Sequence, residues 1–95
     1  MNLRETNKKR SNKHRGSLDI IADILEASKG KTKKTYLMYR CNLSFKQMEN
    51  YLSFLLKREL LKAIEDNGNN KSFFRITEKG ERFLETYKGL QGFME

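Results

Sequence analysis

The four residues Ser44-Phe45-Lys46-Gln47 constrain this chain more than any other stretch of it. A serine hydroxyl at a helix N-cap accepts from the backbone N–H three residues on. A glutamine at that third position reaches back to the N–H of the cap, so two donors that a helix start leaves unpaired are satisfied together. Leu43 before the cap and Met48 after it have the spacing of a hydrophobic staple, which fixes the angle at which the chain enters the helix. Met48, Tyr51, Leu52, Leu55 and Leu56 then recur at intervals of three and four, which makes one apolar stripe. Lys46, Gln47, Glu49, Asn50 and Ser53 fall on the opposite side. The spacing predicts a helix that ends near Arg58-Glu59, anchored along one side and polar along the other.

The flanking segments supply what this helix packs on. Ser17 is expected to cap an earlier helix, with Asp19 favoured in its first turn by the helix dipole. Leu18, Ile21, Ala22 and Leu25 form its stripe, Ile20 and Ile24 widen it, and Gly30 is expected to close it as a C′ residue. Residues 31–34 read as a basic connection. A two-turn helix follows over residues 34–40 with Leu37 and Met38 inward, then a tight Cys41-Asn42-Leu43 connection in which Asn42 can take the left-handed conformation. Beyond the capped helix, residues 60–65 suit a strand. Asp66-Asn67-Gly68-Asn69-Asn70 is a turn cluster whose Asn-Gly pair signals a hairpin. In the return strand, residues 71–76, Phe74 and Ile76 point inward, while Lys71, Phe73 and Arg75 take the other face. Thr77 caps a last helix with Glu78 in its first turn, running through Phe83, Leu84, Tyr87 and Leu90 towards Met94. The predicted fold is mainly α (α+β): three helices, a two-stranded hairpin and a C-terminal helix. Two strands alone make no stable sheet, so the hairpin must pack on the helices in one domain, residues 17–95, with the C-terminal helix from about residue 78.

Charge then narrows the partners. The chain carries 20 Lys and Arg against 12 Asp and Glu, a net charge of +8. Residues 1–16 hold a net +5 of this and almost no large apolar side chain, so they read as a flexible basic arm. Such a balance points to a polyanion, with nucleic acid ahead of an anionic membrane surface. No apolar run reaches the ~20 residues of a membrane span. The lone Cys41 and the lack of a secretion signal place the chain in the reducing cell interior, the cytoplasm. An enzyme is disfavoured. His14, the only histidine, lies in the arm, Cys41 alone makes no zinc site, and no glycine loop cradles a phosphate. No cofactor or metal is expected.

Two helices joined by a tight turn hold the second clear of the body, and an α-helix fits the ~12 Å major groove of duplex DNA. Lys46, Gln47 and Asn50 are the expected groove contacts, because Gln and Asn bond adenine bidentately and Lys reaches guanine acceptors or phosphate. Ser44 and Ser53 are weaker candidates on the same helix. Lys71 and Arg75 of the hairpin are expected at phosphate or in the minor groove, and Lys33 and Lys34 before the second helix, with Lys31 beside them, at the phosphate backbone. Tyr36 and Tyr39 can also bond phosphate, although packing against the third helix is expected of at least one. Arg10, Lys13 and Arg15 contribute from the arm. Two other partners fit the same residues: RNA, with Tyr36, Tyr39 and Phe45 stacking on bases, and a protein partner docked on Phe73, Phe93 and Met94.

The stretches Leu18–Ala27, Lys34-Thr35-Tyr36-Leu37-Met38-Tyr39, Asn42-Leu43-Ser44-Phe45-Lys46-Gln47 and Phe74-Arg75-Ile76-Thr77-Glu78-Lys79-Gly80 together resemble the archaeal winged helix-turn-helix proteins of the small basic chromatin-protein type. The similarity spans roughly residues 17–88. It implies a double-stranded DNA-binding transcription regulator or nucleoid-associated protein. It also implies a homodimer through the C-terminal helix, an antiparallel coiled coil in some members. Phe83, Tyr87, Leu90 and Met94 have the four-three-four spacing of such a seam. Gly89 and Gly92 each cost about 1 kcal/mol of helix propensity, so a compact pair of short helices is expected in place of a long coiled coil.

Overall fold

The computed structural model describes residues 15–65 and 72–94. The arm residues Arg10 and Lys13, the hairpin tip and Lys71 lie outside the described residues. The elements are α1 (Ser17–Ala27), β1 (Thr32–Lys33), α2 (Lys34–Cys41), α3 (Phe45–Lys57), β2 (Leu61–Glu65), β3 (Ser72–Ile76) and α4 (Glu78–Met94).

The expected order of elements is present, and the hairpin has gained a strand. β1 pairs antiparallel with β3, with Thr32 opposite Phe74 and Lys33 opposite Phe73. β2 pairs with the other edge of β3, from Leu61 opposite Ile76 to Glu65 opposite Ser72. The sheet order is therefore β1-β3-β2. The segment read as a basic connection is an edge strand because Thr32 is buried between two exposed lysines, the alternation of a half-buried strand.

α1 differs from expectation at both ends. Gly16 is its N-cap and Ser17 its first helical residue; the Asp19 carboxylate accepts from the Gly16 N–H at 3.1 Å. At the other end no left-handed glycine is used. Ser28 ends the helix with its N–H on the Leu25 carbonyl, and its buried hydroxyl donates to the Ile24 carbonyl at 2.7 Å. The Ser28 carbonyl accepts from Ile76 at 2.8 Å, which ties α1 to β3. Leu18, placed in the apolar stripe, is 58% exposed.

The two tight connections close as helix C-termini do. Asn42 is left-handed (φ 57°, ψ 53°), and Leu43 N–H reaches the Met38 carbonyl at 2.9 Å. Glu59 is also left-handed (φ 63°). Around it Leu60 N–H bonds the Leu55 carbonyl at 2.9 Å and Glu59 N–H bonds that of Leu56 at 3.0 Å, the paired bonds of a Schellman closure. The core lies between α1, α2, α3 and the sheet, around the fully buried Ile24, Leu25, Leu37, Met48 and Leu55. Phe74 and Ile76 enter it from β3 and Leu61 from β2.

α4 crosses the end of this body. Thr77 caps it, accepting from Gly80 N–H at 2.9 Å, and its hydroxyl donates to the Glu59 carbonyl at 2.7 Å. Leu84 is buried, and Phe83 and Tyr87 pack on the core. The Tyr87 hydroxyl donates to Asp19, and Lys88 pairs with Glu26 at 2.9 Å, holding Glu26 below the usual carboxylate range. Leu90, Phe93 and Met94 project beyond the body, 60%, 86% and 82% exposed. Gly89 and Gly92 do not interrupt the helix.

Candidate nucleic-acid interface

α3 is held as its sequence dictates. The Ser44 hydroxyl accepts from Gln47 N–H at 3.1 Å, and Gln47 Oε1 accepts from Ser44 N–H at 2.9 Å. Met48, Leu52 and Leu55 are buried beneath the helix, while Lys46, Gln47, Asn50 and Ser53 are all exposed. Gln47 uses its amide oxygen in the cap, so its NH2 group is what it offers outward. Asn50 retains both ends of its amide for a base edge. Beside them an open groove of about 400 Å³ runs between α1 and α3, lined by Ser17, Ile21, Gln47, Asn50, Tyr51 and Phe54.

The surface around α3 is basic by sequence. From Glu26 to Glu49 the chain carries Lys29, Lys31, Lys33, Lys34, Arg40 and Lys46 and no acid between them. Lys33 is exposed on β1, and Arg75 is exposed on the outer side of β3. Lys34 is more committed. Its ammonium donates to Glu49 and sits 4.1 Å from the ring centre of Phe45, with 27% of the side chain exposed. Tyr36 is 47% exposed and its hydroxyl accepts from Arg40 at 3.2 Å, whereas Tyr39 is 86% exposed. Neither tyrosine is buried against α3, contrary to the packing expected for at least one.

Arg15 stands apart from the rest of the predicted set. Its guanidinium donates to Asp23 and to the Cys41 carbonyl, each at 2.6 Å, and its side chain is only 15% exposed. It supplies one of the carbonyl partners that the end of α2 lacks. Nothing local in the sequence signals this bond, which spans 26 positions. Reasoning from sequence also missed Phe73 beneath lysines: Lys31 and Lys33 lie 4.7 and 6.0 Å from its ring centre. The Lys-Thr-Lys alternation of β1 was the only available signal.

Cys41 is buried, and burial, with Asp23 nearby, pushes its thiol up to about 11. Among the described residues no group of His, Cys, Asp and Glu is placed to hold a metal ion, and no helix is long and apolar enough to cross a membrane.

The model of the winged helix-turn-helix family matches residues 14–95. Two uncharacterised proteins of Methanocaldococcus jannaschii are similar. One is 38% identical over 72 residues, covering 75% of this chain and 31% of that protein. The other is 32% identical over 78 residues, covering 80% of this chain and 74% of the relative. The chain thus spans about a third of the first relative's length. Among solved structures, Sso10a-2, described as a DNA-binding protein from Sulfolobus solfataricus, matches with a TM-score of 0.76 at 25% identity, over 84% of this chain and 82% of that one. Methanocaldococcus and Sulfolobus are both archaeal, in line with the resemblance read from the sequence. With three helices, a wing sheet and a terminal helix in this order, the chain belongs to the winged helix-turn-helix family.

Proposed function

We propose that this chain binds double-stranded DNA by laying α3 in the major groove, and that it acts as a transcription regulator or a nucleoid-associated protein of the cytoplasm. The exposed amide-and-lysine face of α3, standing on the buried Met48, Leu52 and Leu55, is the observation that carries this reading. Asn50 and Gln47 suit adenine, and Lys46 suits guanine or phosphate. Ser44 and Ser53 border the same face. Lys33, Tyr36 and Arg75 meet the phosphate backbone, joined by Arg10 and Lys13 of the arm and Lys71 of the hairpin. Lys34 contributes less, because Glu49 already shares its charge. Arg15 contributes less to phosphate, because its guanidinium is already engaged by Asp23 and the Cys41 carbonyl. The likeness to Sso10a-2, itself described as DNA-binding, supports the reading.

The same reading includes a pair of chains joined through the free end of α4. Phe83 and Tyr87 are taken up by the domain's own core, so the contact falls to Leu90, Phe93 and Met94. No catalytic step is assigned: the one thiol is buried and held protonated at neutral pH.

The test is equilibrium binding to duplexes enriched from a random pool, across salt. Affinity falls steeply as salt rises, because each neutralised phosphate adds about −0.9 to the log–log slope. Replacing Lys46, Gln47 and Asn50 by alanine weakens the enriched duplex more than random duplex, since each bidentate base contact is worth about 1–3 kcal/mol of discrimination. Salt-independent binding, or an unchanged preference in the triple variant, removes the proposal.

A further inference from the structure

We propose that the outer face of the wing sheet is a second nucleic-acid site, one that takes an unpaired strand by stacking a base on Phe73. The register sets its composition. Lys33 and Ile64 lie directly opposite Phe73 on its two sides, and Lys62 lies opposite Arg75 in the next row of the same face. Phe74, Ile76 and Leu61 occupy the other face and are buried in the core. The described outer face therefore consists of an aromatic ring and an aliphatic neighbour bordered by cations, with no acid; Glu65, opposite Ser72, falls in the register of the inner face.

One feature fits an unpaired strand better than a duplex, and a second supplies a place for its phosphate. A flat ring in a sheet is a stacking platform, and unpaired bases expose the π-face that a duplex conceals. The lysine ammonium groups already sit over this ring, Lys31 at 4.7 Å and Lys33 at 6.0 Å from its centre. An exposed cation–π contact is weaker than base stacking on the same ring. An arriving base replaces an ammonium over Phe73, and the displaced lysine is then beside the phosphate of that nucleotide. The second feature is the Lys62–Arg75 pair. Like charges directly opposite across two strands repel, and a phosphate laid between them relieves the repulsion. This site shares Lys33 and Arg75 with the phosphate contacts proposed for duplex DNA, but Phe73, Ile64 and Lys62 belong to it alone and it shares no residue with the exposed face of α3.

Fluorescence tests it directly, because the chain has no tryptophan. In the full chain, Phe73→Trp places a single indole in the platform. Saturating oligothymidine or oligouridine is expected to quench its emission, and quenching by either supports the proposal while telling DNA from RNA. Phe73→Leu keeps an apolar side chain but no ring. It is expected to lose at least about fivefold in affinity for the oligonucleotide, with duplex affinity unchanged within about twofold. The Lys46, Gln47 and Asn50 alanine variant is expected to keep single-strand binding. Unquenched emission at saturation, or wild-type oligonucleotide affinity in a folded Phe73→Leu chain, overturns the proposal whatever the duplex assay gives.

Discussion

Replacing Gly80 by alanine tests the packing of α4 on the body against simple helix propensity. Gly80 is in the first turn of α4, where propensity alone predicts that Gly→Ala stabilises by about 1 kcal/mol. The structure predicts the opposite. A Cβ at this position would lie 2.3 Å from the Leu60 carbonyl oxygen and 2.7 Å from Cγ1 of Ile76. The carbonyl cannot swing aside freely, because it accepts from Thr77 N–H at 3.1 Å and shares with the Glu59 carbonyl the single proton of the Thr77 hydroxyl, also 3.1 Å away. Overpacking of this kind costs roughly 1–3 kcal/mol, and weakening the Thr77 N–H bond adds about 0.5–1.5 kcal/mol. Set against the propensity gain of about 1 kcal/mol, the net loss is about 0.5–3.5 kcal/mol, centred on about 2. For a domain of this size the central value lowers Tm by about 8–16 °C. Gly89→Ala is the control: nothing lies within 4 Å of its Cβ, so only propensity acts and stability rises by about 0.5–1 kcal/mol. Thermal and urea unfolding followed by circular dichroism measure both. A Gly80→Ala chain that melts at or above the parent temperature would refute the close approach of α4 to Leu60.

Three further outcomes follow from other contacts. Ser44→Ala removes the cap of α3 and lowers stability by about 1 kcal/mol in urea titration. Glu59→Gly relieves a left-handed non-glycine residue and raises stability by roughly 0.5–1 kcal/mol in the same assay. Burial raises the Cys41 thiol to about 11, and burial with the bond to Asp19 raises the Tyr87 phenol to about 12. Both groups hold their protons more tightly when folded, so their contribution is complete below about pH 9 and is lost as pH rises from there towards 12. The double variant Cys41→Ala, Tyr87→Phe flattens the fall of Tm with pH over that interval.

The parts of the fold legible in the sequence are those set by local rules. The Ser44/Gln47 box, the left-handed Asn42, the inward Phe74 and Ile76 and the Thr77 cap each depend on residues within a few positions of one another, and all are present. What the sequence concealed depends on distant partners. β1 is a strand because β3 lies beside it; two residues carry too little pattern to announce that. α3 closes on Glu59 with no glycine, because Thr77 and Lys79 hold the carbonyls of Glu59, Leu60 and Arg58 in place. The heptad-like spacing of α4 was real but mixed two environments: Phe83 and Tyr87 face the chain's own core, and only the last turns are free. Among the candidate contacts, the exposed face of α3 was readable from one helical period. The commitments of Lys34 to Glu49 and of Arg15 to Asp23 were not, since nothing local brings those pairs together.

Those commitments also explain how an excess of cations becomes a directed surface. α1 carries Asp19, Asp23 and Glu26, and each is engaged inside the fold: Asp19 by Gly16 and Tyr87, Asp23 by Arg15, Glu26 by Lys88 and Lys29. Asp23 is matched by Arg15 and Glu26 by Lys88 and Lys29, so of the cations in the run that follows, α1 offsets Lys29. The acid-free run from Glu26 to Glu49 folds into β1, α2 and the start of α3, so its cations stand on neighbouring elements rather than along an extended strand. Glu49 offsets another of them, Lys34. The field left over is positive around Lys33 and Lys46, where a polyanion approaching α3 arrives. A potential of this kind raises the rate of encounter more than the final affinity, and salt weakens it over a Debye length of about 8–10 Å. Opening the Arg15–Asp23 pair with Arg15→Gln therefore frees a carboxylate beside α2 and slows association with DNA at low salt, while leaving the base contacts of α3 in place.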